Sequence, residues 1–173
     1  MTLHNSLKLN LGCGKQIKSK SKGWVNADIQ KEKGIDKSFN FEKFPYPFND
    51  NTFDYILVDN VLEHLDDISK VMSELWRICK KDAMIEIIVP YWNNSVAYNS
   101  PEHKHYFNTR TFENICEYKS SSRIKPEEKF ELIEVKRNAG NVKRKIPRII
   151  LNFLDKFLHS IFIEINAKIK VKK

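Results

Sequence analysis

Three of the five histidines fall in two short stretches that hold much of the chain's reactive chemistry. Glu63-His64 follows closely on the apolar run FDYILVD (53–59), and His103 and His105 lie in PEHKHYF (101–107). Imidazole titrates near neutral pH, so His64, His103 and His105 are the candidate general bases. Each has a plainer alternative: His64 as the residue that orients a following helix, the other two as surface residues of a long loop. Glu63, His64, His103 and His105 are also chemically able to hold a metal ion, but their spacing is no known signature, and no metal site is expected.

Other residues are suited to binding. LKLNLGCG (7–14) alternates Leu7, Leu9 and Leu11 with polar residues and ends in two glycines around Cys13, which reads as a strand entering a tight turn. Glycine there tolerates positive φ and lets backbone N–H groups approach a carboxylate or phosphate, although many Gly-x-Gly pairs are only sharp turns. Asp28 ends a second strand pattern (23–29), and Asp59 and Asn60 end the apolar run.

The elements that must position these groups follow from periodicity. Residues 15–22 are polar and lysine-rich where a parallel crossover normally places a helix, so the first crossover is cut short. Residues 35–41 form a weaker strand candidate, and two prolines in 44–48 forbid helix and imply an ordered loop. A helix is expected from Asp66 or Asp67 to Lys81, with Lys80 and Lys81 at its negative end. A strand over 83–89 follows, then a long loop over 91–108 and a helix begun by Asn108 or Thr109 with Phe112, Ile115 and Cys116 on its apolar side. Strands over 130–135 and 161–171 are expected to pair antiparallel, with Pro147 at the first position of an amphipathic helix between them. The alternation predicts a single α/β domain over 1–173, with Gly12, Gly14, Asp28, Asp59 and Asn60 all at the carboxyl ends of strands, where such sheets bind ligands.

Composition sets outer bounds. The chain has 173 residues, 41% of them hydrophobic and 12% aromatic, which suits one globular domain. Cys13, Cys79 and Cys116 are scattered and fit a reducing cytoplasm, and neither a signal-peptide apolar region nor a membrane-length apolar run is present.

A dinucleotide requires a third glycine for close helix packing, which Lys15-Gln16-Ile17 does not supply, so a nicotinamide-dependent oxidoreductase is disfavoured. A nucleoside with an amino-acid tail needs only a backbone turn, an acid for its ribose and apolar walls, and S-adenosylmethionine has that shape. On NLGCGK (10–15), WVNADI (24–29), FPYPFNDNTFDYILVDNVLEHL (44–65) and the helix and strand after them, the sequence resembles the class I S-adenosylmethionine-dependent methyltransferases. It is most similar to their small-molecule branch, which includes quinone-biosynthesis and glycan-modifying enzymes, and the resemblance covers about residues 6–112. It implies a Rossmann-like seven-stranded, mostly parallel sheet in the order 3-2-1-4-5-7-6, last strand antiparallel, and S-adenosylmethionine as cofactor. It also implies Leu11, Gly12, Cys13 and Gly14 at the methionyl part, Asp28 and Ile29 at the ribose, and Asn40 and Phe41 near adenine. Asp59, Asn60 and Val61 would close the pocket. The chain departs from the family in its GCG turn, its missing first helix, and Asn40 where an acid often stands.

Methyl transfer is an in-line displacement, so positioning and exclusion of water supply much of the rate, with a base for a hydroxyl acceptor. Asp59-Asn60-Val61-Leu62 stands where the family's DNA amino-methylating members carry an Asp-Pro-Pro-Tyr type tetrapeptide. The resemblance therefore points to oxygen or carbon of a small-molecule, lipid-linked or glycan acceptor, not to nucleic acid. Residues 136–173 carry eleven Lys or Arg against Asp155 and Glu164, which leaves the rest of the +8 chain near neutral. The basic amphipathic insertion at 138–160 has two readings. It packs Ile150, Leu151, Leu154, Phe157 and Leu158 on the domain, or it makes a peripheral contact with anionic lipid through 143–158. In the second case Lys143, Arg144, Lys145, Arg148 and Lys156 meet headgroups while Ile150, Leu154 and Phe157 enter the interface. A non-catalytic module that uses this fold to bind a membrane or RNA through the basic end is the remaining alternative.

Overall fold

Leu9 and Leu11 are fully buried. In the computed structural model their strand, β1 (Lys8–Leu11), lies parallel between β2 (Trp24–Asp28) and β4 (Phe53–Asp59). The structure describes residues 6–117, 129–140 and 146–173. Beyond β2 lies a two-residue β3 (Lys37–Ser38), and beyond β4 come β5 (Cys79–Pro90), β7 (Glu164–Lys172) and β6 (Lys129–Asn138). The order is therefore β3-β2-β1-β4-β5-β7-β6, with β7 antiparallel to both neighbours, as the family resemblance implies. Ile56, Val58, Ile85, Ile87, Ile165 and Ile169 are fully buried, which explains the near-continuous apolar runs of the central strands.

Two helices flank this sheet where periodicity places them. Asp67 caps α1 (Ile68–Ile78) by accepting the Lys70 amide at 3.1 Å, and the helix buries Val71, Met72, Leu75 and Ile78. Asn108 and Thr111 form a reciprocal cap on α2 (Thr109–Cys116), which buries Phe112.

The shortened first crossover is held by side chains in place of a helix. Asn10 and Asn26 are paired across β1 and β2, and both are buried. Asn26 Oδ1 accepts the Lys18 amide at 2.9 Å, its Nδ2 donates to the Lys18 carbonyl at 2.9 Å, and Asn10 Nδ2 donates to the Gln16 carbonyl at 2.8 Å. Asn10 Nδ2 also reaches Asn26 Oδ1 at 3.1 Å. The crossover's backbone groups are satisfied without helical bonds, beyond one 3-10 turn at Lys20–Lys22.

Several expected boundaries are corrected. The first helix stops at Ile78, because Cys79 already pairs with Phe53; the ladder resumes at Tyr55 and Met84 after a bulge in which Asp82 has φ 63°. Lys80 donates to Asp54 at 2.8 Å and so does not serve the helix end. The cation there is Lys173, whose Nζ reaches the carbonyls of Arg77 at 3.1 Å and Cys79 at 2.6 Å. The candidate strand at 35–41 shrinks to β3, since Phe39 and Phe41 turn into an aromatic cluster. Residues 161–163 precede the final ladder, after a left-handed Ser160.

Pro147 is extended (ψ 136°) and stands before α3 (Arg148–Leu154), outside the first helical position. The helix ends at Leu154 and passes into a turn, and the Asp155 carboxylate that follows it meets Arg137 at 2.6 Å and accepts from the Tyr91 hydroxyl at 2.9 Å. Leu151 is buried, whereas Ile150, Phe157 and Leu158 are exposed. Lys143, Arg144 and Lys145 lie outside the described residues.

Replacing Asn26 with Ala should cost about 2–4 kcal/mol, because it strands the Lys18 amide and carbonyl together with part of the Asn10 side chain. Urea unfolding measures this, and a loss under about 0.5 kcal/mol would show that the clasp is dispensable.

Candidate active site

Gly12 and Gly14 have φ of 71° and 46°, the left-handed region that favours glycine. The turn is tied to β2: the amides of Gly12 and Cys13 both donate to the Ala27 carbonyl, at 2.8 and 3.0 Å. The Gly14 amide donates to Asp28 Oδ2 at 2.8 Å, and the Gln30 amide donates to Asp28 Oδ1 at 3.0 Å. The turn's amides thus build the loop instead of standing free for a ligand carboxylate. Asp28 is 7% exposed, and each of its oxygens retains acceptor capacity.

A cleft of about 540 Å³ opens at the carboxyl ends of β1, β2 and β4. Of the expected residues, Gly12, Asp28, Ile29, Asn40, Phe41, Asn60, Val61 and His64 line it. Leu11 and Cys13 are buried under the turn, and the burial of Cys13, with Asp28 nearby, pushes its thiol up to about 11. Gly14 and Asp59 flank the cleft without lining it; burial, then Glu164, raises the Asp59 carboxyl above its ordinary range.

The wall carrying Asn40 and Phe41 is anchored from below. The Tyr46 hydroxyl donates to the Phe41 carbonyl at 2.9 Å, and the Tyr46 amide donates to Glu74 on α1 at 2.7 Å. Arg77 then bonds Glu74, Asp50 and the carbonyls of Tyr46 and Phe48. Asn40 Oδ1 accepts the Glu42 amide at 2.8 Å, so asparagine shapes the turn where an acid often stands.

Sequence reasoning missed Glu42, Leu65, Glu102 and Lys104, which also line the cleft. Lys104 bridges Glu42 at 3.3 Å and Asp66 at 2.7 Å, a strap joining three loops. Its only signal in the sequence is its place between His103 and His105.

At the far end the 91–108 loop meets the turn after β4. The amides of Lys104 and His105 donate to the Glu63 carbonyl, at 2.7 and 3.3 Å, and this brings the His103 ring within 4.8 Å of the His64 ring. His64 lines the cleft, while His103 stands behind it with Nδ1 2.9 Å from the Ala97 carbonyl. His105 is set apart, its Nε2 buried and without a hydrogen-bond partner. Glu63 is 1% exposed, and burial pushes its carboxyl up to about 7.

Residues 20–87 match a family model described as a methyltransferase domain. No curated protein matches the sequence. Among solved structures, an S-adenosylmethionine-dependent methyltransferase from Archaeoglobus fulgidus is 20% identical, with 98% of this chain and 87% of that chain covered and a TM-score of 0.63. One from Mesorhizobium loti is 10% identical over 95% of this chain and 90% of that chain, also at 0.63. A Haemonchus contortus phosphoethanolamine N-methyltransferase, solved with S-adenosylmethionine, is 16% identical; 97% of this chain covers 49% of that one, at 0.63. The chain carries the fold of these S-adenosylmethionine-dependent methyltransferases, and its residues 20–87 resemble a methyltransferase domain.

The residues that line the cleft fit a sulfonium nucleoside. Gly12 lets Val61 pack directly against the turn, since a methyl at its Cβ position would collide with Val61 Cγ2. Asp28 supplies the acid, and Ile29 and Phe41 supply apolar wall. Gly12→Ala should therefore destabilise the fold by about 2 kcal/mol or more and weaken donor binding at least tenfold. Gly14→Asn, where nothing lies within 4 Å of a Cβ and Asn accepts the left-handed region, should cost about 1 kcal/mol or less. Equal effects of the two substitutions in melting and donor titrations would contradict this assignment.

Proposed function

We propose that the protein transfers a methyl group from S-adenosylmethionine to an oxygen or carbon of a small-molecule, lipid-linked or glycan acceptor, in the manner of the small-molecule branch it resembles. The observation that carries this reading is the single cleft edge on which the Gly12 turn, Asp28 and His64 meet. Bound there, S-adenosylmethionine supplies an electrophilic methyl group. Asp28 receives the ribose hydroxyls, Ile29, Asn40 and Phe41 border adenine, and Asn60 and Val61 close the pocket beside the turn. His64 faces the acceptor and carries its proton chemistry, with His103 supporting it and His105 behind. The strap of Glu42, Lys104 and Asp66 limits access of water to the outer wall.

A lipid-linked acceptor is favoured by the apolar surface of the α3 segment and of the 91–108 loop, whose Glu102 and Lys104 line the cleft. Ile149, Phe153 and Phe157 are 78%, 60% and 71% exposed, and Trp92 and Tyr98 are also open to solvent. The two segments are tied together, Asn93 Nδ2 to the Leu158 carbonyl at 3.3 Å and the Ser160 amide to the Asn93 carbonyl at 2.8 Å. Arg148 and Lys156 border this apolar ground, a pairing suited to an anionic interface. Among the described residues no helix is long and apolar enough to cross a membrane.

Labelled methyl incorporation across lipid, quinone and glycan extracts tests the function. Incorporation into the lipid fraction is expected, with His64→Ala lowering turnover at least tenfold at nearly unchanged donor affinity, and Asp28→Ala weakening the donor instead. Cosedimentation with anionic vesicles should be strong at low salt and reduced in Phe153→Ser/Phe157→Ser. Vesicle binding without any donor binding would leave the non-catalytic module as the correct account.

A further inference from the structure

Glu63 presents an anomaly that methyl transfer does not explain. Its carboxylate is almost wholly enclosed, yet neither Oε1 nor Oε2 has a hydrogen-bond partner. Buried carboxyl groups are costly unless paired, bonded or bound to a metal. Two imidazoles stand beside it, and one ligand atom each from Glu63, His64 and His103 lie within 4.8 Å of one another. The tautomer of His103 is set by its neighbour: a carbonyl only accepts, so the Nδ1 facing the Ala97 oxygen at 2.9 Å carries the hydrogen and Nε2 keeps its lone pair. An imidazole fixed by a backbone carbonyl on one nitrogen and free on the other is the usual arrangement of a metal-binding histidine. His64 Nδ1 lies 3.4 Å from the Glu102 carbonyl, a looser version of the same contact.

We propose that Glu63, His64 and His103 bind one divalent transition-metal ion of the zinc type, with its open positions toward the acceptor end of the cleft. Two neutral imidazoles and one carboxylate form a mixed nitrogen and oxygen set that suits zinc, iron or cobalt and is poorly matched to calcium or magnesium. Three protein ligands leave room for an oxygen of water or of the acceptor. Around an ion with bonds of about 2.1 Å, tetrahedral ligand atoms stand about 3.4 Å apart, so the trio must close by roughly 1.4 Å at its widest, within reach of side-chain rotation. The local sequence spacing gives no sign of the site, because His103 reaches it only through the fold: the Lys104 and His105 amides dock the 91–108 loop on the Glu63 carbonyl.

The existence of the site is independent of the donor; its role rests on the methyl-transfer reading. An ion here would bind the acceptor hydroxyl and lower its pKa, helping its proton leave to His64 or solvent; the oxygen would then bond the methyl carbon as the carbon–sulfur bond breaks and S-adenosylhomocysteine departs.

The test is titration of the chelator-stripped full chain with Zn(II) by calorimetry and with Co(II) by visible absorption. One equivalent is expected to bind with micromolar or tighter affinity and to give Co(II) bands of low coordination number. His64→Gln, His103→Gln and Glu63→Gln should each weaken binding at least tenfold, with the melting temperatures of the two metal-free histidine variants near that of the parent. No binding, binding indifferent to both histidine variants, or a Co(II)–thiolate band that places the ion on cysteine would overturn the proposal. Thermal-shift titration of the same samples with S-adenosylhomocysteine separates the two claims. Donor-product binding without zinc binding overturns the ion alone, and zinc binding without donor-product binding overturns methyl transfer and leaves the ion.

Discussion

The hydrogen bond from the Gly14 amide to the Asp28 carboxylate, reinforced by the Ala27 carbonyl accepting from both Gly12 and Cys13, fixes where the first strand's turn lies against the end of the second. In most sheets of this type a helix after the turn helps to do that. Here the Asn10–Asn26 clasp pins the crossover instead, so the cleft's floor is set by side-chain bonds between adjacent strands. A preorganised acid follows from the same few contacts, and ligand binding need not order it.

The opposite wall depends on contacts across long stretches of chain. Tyr46 and Arg77 hold the proline-rich loop to α1, and Lys104 reaches across to Glu42 and Asp66. One end of the cleft is assembled from two carboxyl-end loops, those after β4 and β5, while the other comes from the ends of β1 and β2. On the proposed reading, such a division lets acceptor chemistry vary while the donor seat stays rigid.

Much of this was legible in the sequence because it rests on local pattern. The alternation through Leu7, Leu9 and Leu11, the glycines at positive φ, and Asp67 and Asn108 as caps all depend on neighbours in sequence, whereas the strand order was implied by the family resemblance alone. What escaped was long-range. Lys80 and Lys81 look like helix-end cations, but Asp54 takes Lys80 from the next strand and Lys173 arrives from the far end of the chain. Pro147 looks like a first helical residue, yet it stands before the helix, which ends after two turns and leaves Phe157 in the turn beyond, where Asp155 meets Arg137 and Tyr91 from distant strands. The meeting of His103 with Glu63 and His64 is of the same kind, since no periodicity encodes a loop folding back over forty residues.

The central claim is that the cleft above Gly12 and Asp28 is built for a sulfonium nucleoside. Calorimetric titration of the unmodified chain with S-adenosylmethionine, S-adenosylhomocysteine and, as the competing ligand class, reduced nicotinamide dinucleotide tests it most directly. One-to-one binding of both adenosyl compounds in the micromolar range, with the dinucleotide at least a hundredfold weaker, is the predicted result. Absence of binding by either adenosyl compound, or preference for the dinucleotide, would contradict the account.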